Sequence, residues 1–546
     1  MRRILSAILA LAMLLSLCSF AAAEGQEPIT VTVFRGDPGD QPADDNKIYK
    51  MIEEEFGIKF EIEFLAGDLD ETLGTKISGE DYPDLFDGGN SAEKIIDAGA
   101  LIDLLPYITE DKAPNLYNHI KDLLPQLVDE EGHLYIIPNY GINYNAQIQN
   151  YCNGPAFFIQ KQVLAWDNYP EIKTLDQYFD LIERFIAANP TDENGNPYTG
   201  FAILCEGWRH FCLINPVQHL MGRPNDGEVL VDVTTPEYKT ETFINQPYAK
   251  AYYAKLNEEY KKGLISKDTF VMNYDQYIAA LSSGTVLGMF DQTWDFGPAD
   301  QALKTAKMDK NTYLALPLVY DPHYVDGREI EEHYLNGSVP NKDRGFGISV
   351  NCEYPERLIN LFENLLSDRW QKLLQWGIEG EDYYVENGRM LMTEEQYNQR
   401  NDASWKIHNM AQAIWESAPK KQGTMDDGNA WSAGDQPENY FNLMSDYDKE
   451  FLAAYGKKTP AQFFNPPIQI APYGEAWQID KTPINDDYND FLALQDEWLP
   501  KIIMSADQAE LDANWDAFIK EITPSAQVYT DFMQAEILKL VEQATH

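Results

Sequence analysis

The chain has 546 residues, with 42 Lys and Arg against 88 Asp and Glu, giving a formal net charge of −46 at pH 7. Such a charge repels nucleic acid and anionic membrane surfaces, so we expect neither as a partner. Apolar residues make up 44% and charged residues 24% of the chain, as in ordinary globular proteins. This length allows about two or three domains with a large core.

The first 23 residues have the features of an export signal peptide. Arg2 and Arg3 precede an apolar stretch over 4–20, and three alanines at 21–23 form a small-residue cleavage site. A membrane anchor is the alternative, but this stretch is short for a bilayer span of ~20 residues. Residues 15–18 are similar to a lipobox, although Leu17 replaces its small residue, so a lipid tether through Cys18 stays open. We expect an exported, extracellular and cell-surface-associated protein.

Four further cysteines follow the signal, namely Cys152, Cys205, Cys212 and Cys352. Export permits disulfides, and the short spacing of Cys205 and Cys212 would allow one. Buried free thiols are the equally weighted alternative. The chain has no CxxC pair, so we expect no structural zinc site.

The first part of the chain predicts alternating strands and helices. A β-branched strand over 29–34 is followed by an amphipathic helix over 45–56, ended by Gly57, and by a strand over 59–65. This order is typical of a parallel sheet with a right-handed crossover. Another strand end at 84–87 and a helix over 92–98 come next.

The middle of the chain is also predicted to contain both strands and helices, and the last third is predicted to be rich in helices. We expect strands over 157–159 and 201–204 and helices over 174–188, with Thr174 as N-cap, and 247–263. Further helices are predicted over 355–376, 394–415 and 445–455 and from residue 487 onward. No internal repeat or long flexible linker interrupts these patterns.

Four stretches of the chain look like motifs of one family. They are residues 78–85 (SGEDYPDL), 98–104 (AGALIDL), 132–138 (GHLYIIP) and 376–385 (WGIEGEDYYV). In this order they resemble extracellular solute-binding proteins of the LplA-like branch (family 1, oligosaccharide-type), which serve ABC importers. The resemblance implies an α/β, two-lobed periplasmic-binding-protein-like fold of type II, with a ligand cleft between lobes and a helix-rich C-terminal region.

The same resemblance implies a chain that crosses between lobes more than once. We expect an N-terminal α/β lobe from 28–145 plus about 285–345. The C-terminal α/β lobe would comprise 146–284 plus about 346–546. Ligands of open α/β sheets bind at the carboxyl ends of strands, so the loops after strands are the first place to seek a site.

Sugars offer flat apolar faces and many hydroxyls, which call for aromatic platforms and polar side chains. Four tryptophans lie in loops, namely Trp208, Trp294, Trp376 and Trp431. The polar candidates near strand ends are Asp87, Asn90, Asn139, Tyr140, Arg209, Asp291 and Arg344. The alternatives are core packing for each tryptophan and a solvated loop for each polar residue. For Trp376 the alternative is a buried structural turn.

A calcium loop found in some relatives has a poor counterpart at 189–199. Asp192 and Asn194 are weak candidate ligands, but the first and last acidic positions are replaced, and calcium prefers six to eight oxygens. We therefore expect no metal and no cofactor.

The sequence also gives little indication of a catalytic site. The chain has no HExxH, P-loop or GxSxG motif, and no GxGxxG follows a predicted strand. Glu379 and Asp382 could suggest the carboxylate pair of a glycosidase, but two acids three residues apart are near chance among 88.

These observations favour a non-catalytic substrate-binding protein of an ABC importer. It would capture a carbohydrate, most simply an oligosaccharide, by hinge closure and deliver it to the permease subunits. A secreted carbohydrate-active enzyme and a peptide-binding transport protein are the alternatives. We expect a monomer.

Overall fold

The computed structural model describes residues 27–129, 131–320, 330, 339–465 and 471–545. The chain divides into two compact units, each built from two segments. The first unit comprises Met1–Gln147 and Pro340–Gln436, and the second comprises Ile148–Val339 and Pro437–His546. The predicted signal peptide and Cys18 lie outside the described residues.

This division differs from the predicted lobes. The described residues of the segment 285–339 belong to the second unit and the segment 346–436 belongs to the first, the reverse of the expectation. Strand pairing gives the reason. Strands over Gly288–Asp291 and Tyr313–Leu316 flank the strand Ala156–Gln160 of the second unit, whereas Gly347–Ile348 pairs with Leu85–Phe86 of the first.

The first unit is built around a four-stranded sheet. The strands of this unit are β1 (Ile29–Arg35), β2 (Ile58–Phe64), β3 (Leu85–Phe86), β4 (Asn143–Tyr144), β10 (Gly347–Ile348), β11 (Tyr384–Glu386), β12 (Arg389–Leu391) and β13 (Gln422–Gly423). The sheet has the strand order β10-β3-β1-β2, in which β2 and β3 are parallel to β1 and β10 is antiparallel to β3. The α-helices of the unit span Lys47–Phe56, Leu69–Gly79, Ala92–Asp97, Pro114–Ile120, Leu124–Leu127, Pro355–Leu365, Asp368–Gln375, Glu394–Asn401, Ala403–Asn409 and Gln412–Trp415.

The opening strand-helix-strand unit forms as predicted. The Asn46 side chain accepts hydrogen bonds from the first backbone amides of the helix Lys47–Phe56, and this helix buries Ile48 and Ile52. Gly57 ends the helix at φ 63°, a conformation that glycine adopts without a Cβ penalty. The chain then returns in β2, parallel to β1 along its whole length.

The second unit is built around a three-stranded antiparallel sheet. Its strands are β5 (Ala156–Gln160), β6 (Val229–Val231), β7 (Thr240–Thr242), β8 (Gly288–Asp291) and β9 (Tyr313–Leu316), and the sheet has the order β8-β5-β9. Its α-helices span Lys161–Trp166, Leu175–Ala188, Phe211–Ile214, Pro216–Leu220, Pro247–Lys262, Tyr274–Ser282, Gly297–Thr305, Pro437–Leu443, Asp446–Ala454, Asn485–Ile503 and Gln508–Thr545. The helix-rich C-terminal region is therefore confirmed.

Some predicted elements are shorter or interrupted. The helix predicted over 355–376 breaks at Ser367, whose hydroxyl caps the next helix. The helix predicted over 394–415 breaks at Asp402, whose carboxylate caps Ala403–Asn409. The segment 201–204 is buried as expected, but it joins the sheet only through an isolated bridge between Ala202 and Met289.

The structure distinguishes between disulfides and free thiols for the four described cysteines. Cys152, Cys205, Cys212 and Cys352 are all free thiols, so the suggested pairing of Cys205 with Cys212 does not form. Among the described residues, no helix is both long enough and apolar enough to cross a membrane.

Candidate functional site

Two tryptophan rings lie parallel on the surface of the second unit. Trp208 belongs to the 3-10 turn Gly207–His210, and Trp294 follows the end of β8. Their centroids are 5.7 Å apart and their planes differ by 15°. The side chains are 57% and 54% exposed, which is unusual for such large apolar groups and leaves apolar surface available to a ligand.

Arg209 packs against this stack. Its guanidinium lies 4.4 Å from the Trp208 ring centroid and 3.9 Å from that of Tyr274. The Arg209 Nε donates a 2.9 Å hydrogen bond to Asp295 Oδ1. The planar cation is thus held between two rings and one carboxylate, which fixes the Trp208 side of the stack.

Asp291 lies beneath this surface rather than on it. The side chain is fully buried at the end of β8, where it accepts hydrogen bonds from the Tyr277 hydroxyl and the Gln292 amide. Burial, reinforced by the negative charge of Asp295, raises the pKa of Asp291 to about 8. Direct contact of Asp291 with a ligand is therefore not supported by its position.

The polar candidates of the first unit gather at the carboxyl ends of β1 and β3. Asp87 follows β3 and is buried, where its Oδ2 accepts from Arg35 Nε at 3.1 Å and from the Ser417 hydroxyl at 2.5 Å. The Arg35 Nη2 also donates to Glu416 Oε2 at 3.0 Å. This buried network fixes the loop that follows β3.

Arg344 connects the more accessible candidates of the same region. Its Nη2 donates to Asp37 Oδ2 at 2.6 Å and its Nη1 donates to Asn90 Oδ1 at 3.2 Å. Its carbonyl accepts from the Asn139 amide at 3.0 Å, and Tyr140 follows directly. Asn90 is exposed, whereas the Asn139 side chain is buried.

Trp376 and the signature around it form a buried turn. The ring is fully buried, and its Nε1 donates to the Ala430 carbonyl at 3.1 Å. Asp382 closes the turn by accepting from the Ile378 amide at 2.7 Å, and it pairs with Lys47 at 3.0 Å. The geometry supports the structural alternative for Trp376.

Trp431 is also largely buried, against Met425 and Tyr144. It lines a pocket of about 270 Å³ within the first unit. The Lys421 ammonium lies 4.9 Å from its ring centroid and pairs with Asp368 at 2.7 Å. A side chain of the protein itself thus already contacts the Trp431 ring.

The loop that resembles a calcium site is held together by hydrogen bonds among its own residues. Asp192 Oδ1 accepts from the amides of Asn194 and Asn196, and Oδ2 accepts from the Asn196 side chain. Both carboxylate oxygens therefore have donors from within the loop.

Comparison with known proteins identifies the family. A family model described as bacterial extracellular solute-binding protein matches residues 47–357, which is more than half of the chain. The chain belongs to this family. The predicted resemblance to solute-binding proteins of ABC importers is confirmed, and the family is not catalytic. No curated protein matches this solute-binding protein significantly.

Solved structures share the fold at low sequence identity. An HMO-binding, ABC-transporter-associated solute-binding protein from Bifidobacterium longum infantis has a TM-score of 0.61 at 16% identity, covering 94% of this chain and 98% of its own. FusA of S. pneumoniae in complex with kestose has a TM-score of 0.59 at 16% identity, covering 94% and 99%. The N-glycan transport protein NgtS of Streptococcus pneumoniae has a TM-score of 0.56 at 14% identity, covering 94% and 99%. These likenesses confirm the predicted α/β fold of type II.

In each unit of this solute-binding protein, the candidate residues contact residues that the sequence did not single out. Arg35 and Asp37 come at and just after the end of β1, a position that the strand-end rule could have flagged. Tyr274 and Asp295 carried no comparable signal, because only the fold brings them to Arg209.

Proposed function

We propose that this solute-binding protein captures an uncleaved oligosaccharide for an ABC permease. The observation that carries the proposal is the parallel, half-exposed pair Trp208 and Trp294. A pyranose ring presents C–H groups on a flat face, and an exposed indole face is the surface that such a ring covers best. The exposed surface of the two rings together is larger than that of one ring, which suits a ligand longer than one sugar unit.

Hydrogen-bonding groups surround the two rings. Gln292 Oε1 accepts from the Trp294 indole N–H at 2.9 Å, and Glu206 Oε2 accepts from the Tyr274 amide at 2.7 Å. Arg209 keeps donor groups beside Trp208. Amide, carboxylate and guanidinium groups are suited to donate to and accept from sugar hydroxyls.

The charges near the candidate residues favour a neutral sugar. Arg209 is paired with Asp295, and Arg344 is paired with Asp37. Arg35 is paired with Asp87 and Glu416. Since each of these cations has a carboxylate partner, a sugar acid would have to compete for them, whereas neutral hydroxyls would not.

Structural neighbours with carbohydrate ligands support the ligand class. Their names mention HMO, kestose and N-glycan transport. We further propose that binding shifts the protein toward a closed conformation that the permease recognises, and that the protein acts as a monomer. A ligand produces such a shift only by its higher affinity for the closed state.

Export and tethering are part of the same proposal. The basic start and apolar stretch before residue 23 would direct export, and Cys18 would carry a lipid if the lipobox is used. Changing Cys18→Ser and measuring the protein in cell and medium fractions tests the tether. Release into the medium supports it, and unchanged retention contradicts it.

The ligand proposal is tested with the chain from residue 24 onward by thermal shift and isothermal titration. The panel contains neutral oligosaccharides, uronate oligosaccharides and peptides. A ligand at 100 times its Kd should stabilise the protein by about 2.7 kcal/mol. We expect a neutral oligosaccharide to bind and to be recovered intact. Binding only of peptides, or cleavage of the sugar, would contradict the proposal.

A further inference from the structure

We propose that Cys212, Asp291 and Asp295 bind a thiophilic divalent metal ion of the zinc type. A sulfur or oxygen atom from each of these residues lies within 4.8 Å of the other two. All three side chains are buried within the second unit. The proposed site is independent of the proposed sugar specificity, and it differs from the expectation from the sequence that no metal binds.

An unpartnered buried oxygen is the second observation that points to an ion. Asp295 Oδ1 accepts from Arg209, but Asp295 Oδ2 is buried and has no hydrogen-bond partner among the described residues. A buried carboxylate oxygen without a partner costs about 1–3 kcal/mol or more. Coordination to a cation would satisfy it.

The neighbours of Asp291 and Asp295 orient the two carboxylates as metal ligands are usually oriented. The Tyr277 hydroxyl donates to Asp291 Oδ2 at 2.8 Å, and the Gln292 amide donates to Asp291 Oδ1 at 2.7 Å. Arg209 holds Asp295 from the other side at 2.9 Å. Hydrogen bonds of this kind fix the rotamers of ligating groups and contribute strongly to metal affinity.

Charge balance is favourable for a divalent ion. A Cys212 thiolate and the carboxylates of Asp291 and Asp295 would place three negative charges together. The divalent ion and the adjacent Arg209 guanidinium supply three positive charges, so the buried group becomes neutral. The protons of the Cys212 thiol and of the buried Asp291 carboxyl leave to solvent when the bonds to the metal form.

The donor set indicates which ion is preferred. Calcium and magnesium favour all-oxygen sites, whereas a cysteine sulfur selects softer ions. Zinc accepts sulfur and carboxylate ligands together in four-coordinate geometry, and water can supply the fourth ligand. We therefore expect zinc to bind here in preference to calcium.

The site would join the segments that carry the tryptophan pair. Asp291 and Asp295 flank Trp294 in the sequence, and Cys212 follows Trp208 by four residues. A metal ion would thus add three bonds that connect these segments. Metal binding should stabilise the second unit and hold the pair in place.

Cobalt(II) provides the direct probe. The untagged protein from residue 24 onward is treated with chelator, dialysed and titrated with Co(II). We expect a thiolate-to-cobalt charge-transfer band that saturates at about one equivalent and is removed by Zn(II). A chromophoric chelator measures the zinc stoichiometry of the unmodified protein, so this readout does not depend on the folding of any variant.

Variants test whether the charge-transfer band arises from cobalt bound to Cys212, Asp291 and Asp295. Cys212→Ser should abolish it, and Asp295→Asn should weaken Co(II) binding by at least about tenfold. Cys152→Ser is the matched control, because Cys152 is also a buried free thiol, but its Sγ donates to the Gly154 carbonyl and not to a carboxylate. A missing band together with absent zinc binding, or a band that persists in Cys212→Ser, would overturn the proposal.

Discussion

Trp208 and Trp294 stack with a centroid distance of 5.7 Å and an interplanar angle of 15°, although one lies in a 3-10 turn and the other follows a strand. Both rings remain half-exposed. Apolar side chains that pair yet stay accessible typically mark a binding surface. Together with membership of the solute-binding family, this relationship makes the pair the centre of the proposed ligand site.

Replacement of Arg209→Lys tests whether the planar guanidinium holds the Trp208 side of the stack. Lysine keeps the charge and can still reach Asp295, but it cannot lie flat between Trp208 and Tyr274. We expect glycan affinity to fall by about 3- to 10-fold, equivalent to about 0.7–1.4 kcal/mol. Isothermal titration measures this change.

Arg184→Lys is the matched control for that change. Arg184 also pairs with carboxylates, those of Asp167 and Asp180, and its guanidinium carbon lies 6.0 Å from the Trp166 ring centroid. It belongs to no part of the candidate site. Equal effects of the two lysine variants on affinity would argue against a specific role for Arg209.

The family signature at 376–385 is predicted to act through stability. Gly377 has φ 95°, and a Cβ there would lie 2.6 Å from the Cβ of Asp382 and overlap its carboxylate. Gly377→Ala should lower the free energy of unfolding by about 3 kcal/mol, combining backbone strain with displacement of Asp382. Thermal unfolding of the variant measures this loss.

Gly380→Ala separates strain from overlap in the same turn. Gly380 has φ 87°, but a Cβ there would meet no atom within 4 Å. We expect a loss of only about 1–2 kcal/mol, the cost of the left-handed conformation alone. If both alanine variants were equally destabilised, the overlap with Asp382 would have no separate effect.

Asp226 should make the stability of the second unit depend on pH. Burial raises its pKa to about 6, although the Ala476 amide and Tyr473 hydroxyl donate to it. Because the folded state holds this proton more tightly than the unfolded state, its contribution is fully present below about pH 4. It is lost as pH rises through 6, which costs about 3 kcal/mol by pH 7.

Asp226→Asn should remove this loss. The free energy of unfolding of the variant should therefore fall less between pH 4 and pH 7 than that of the wild type. Asp192→Asn is a control of opposite sign, since hydrogen bonds from Asn196 and its loop lower the pKa of that exposed carboxylate. Replacing this carboxylate should lower the free energy of unfolding above about pH 4, where Asp192 is ionised. Identical pH profiles for the wild type and Asp226→Asn would contradict the assignment.

The sequence predicted local structure well where strong signals coincide. Asn46 and Gly57 bracket the first helix, and Thr174 with Gln177 forms a capping box at Leu175–Ala188. Such caps act through neighbouring backbone groups, so local residues are sufficient to recognise them. The order of strand, helix and parallel strand then follows from chain geometry.

The division of the chain into two units could not be predicted from such local signals. Whether β8 pairs with β5 or with a strand of the first unit depends on contacts between distant segments, and the short buried strands carry no local mark of their partner. The tryptophans posed the same difficulty. Trp294 and Trp376 both lie in polar, glycine-containing surroundings in the sequence, yet one is half-exposed and the other is fully buried.

The most direct test of the proposed function is isothermal titration of Trp208→Ala and Trp294→Ala with the tightest-binding neutral oligosaccharide. Each variant should lose at least about tenfold in affinity, because removal of a stacking ring costs about 1.4 kcal/mol or more. Trp166→Ala is the matched control, since Trp166 is 40% exposed in the same unit and packs on Phe185. Wild-type affinity in that control and weakened binding in the other two is the predicted result. Undiminished binding in both Trp208→Ala and Trp294→Ala would contradict the proposal.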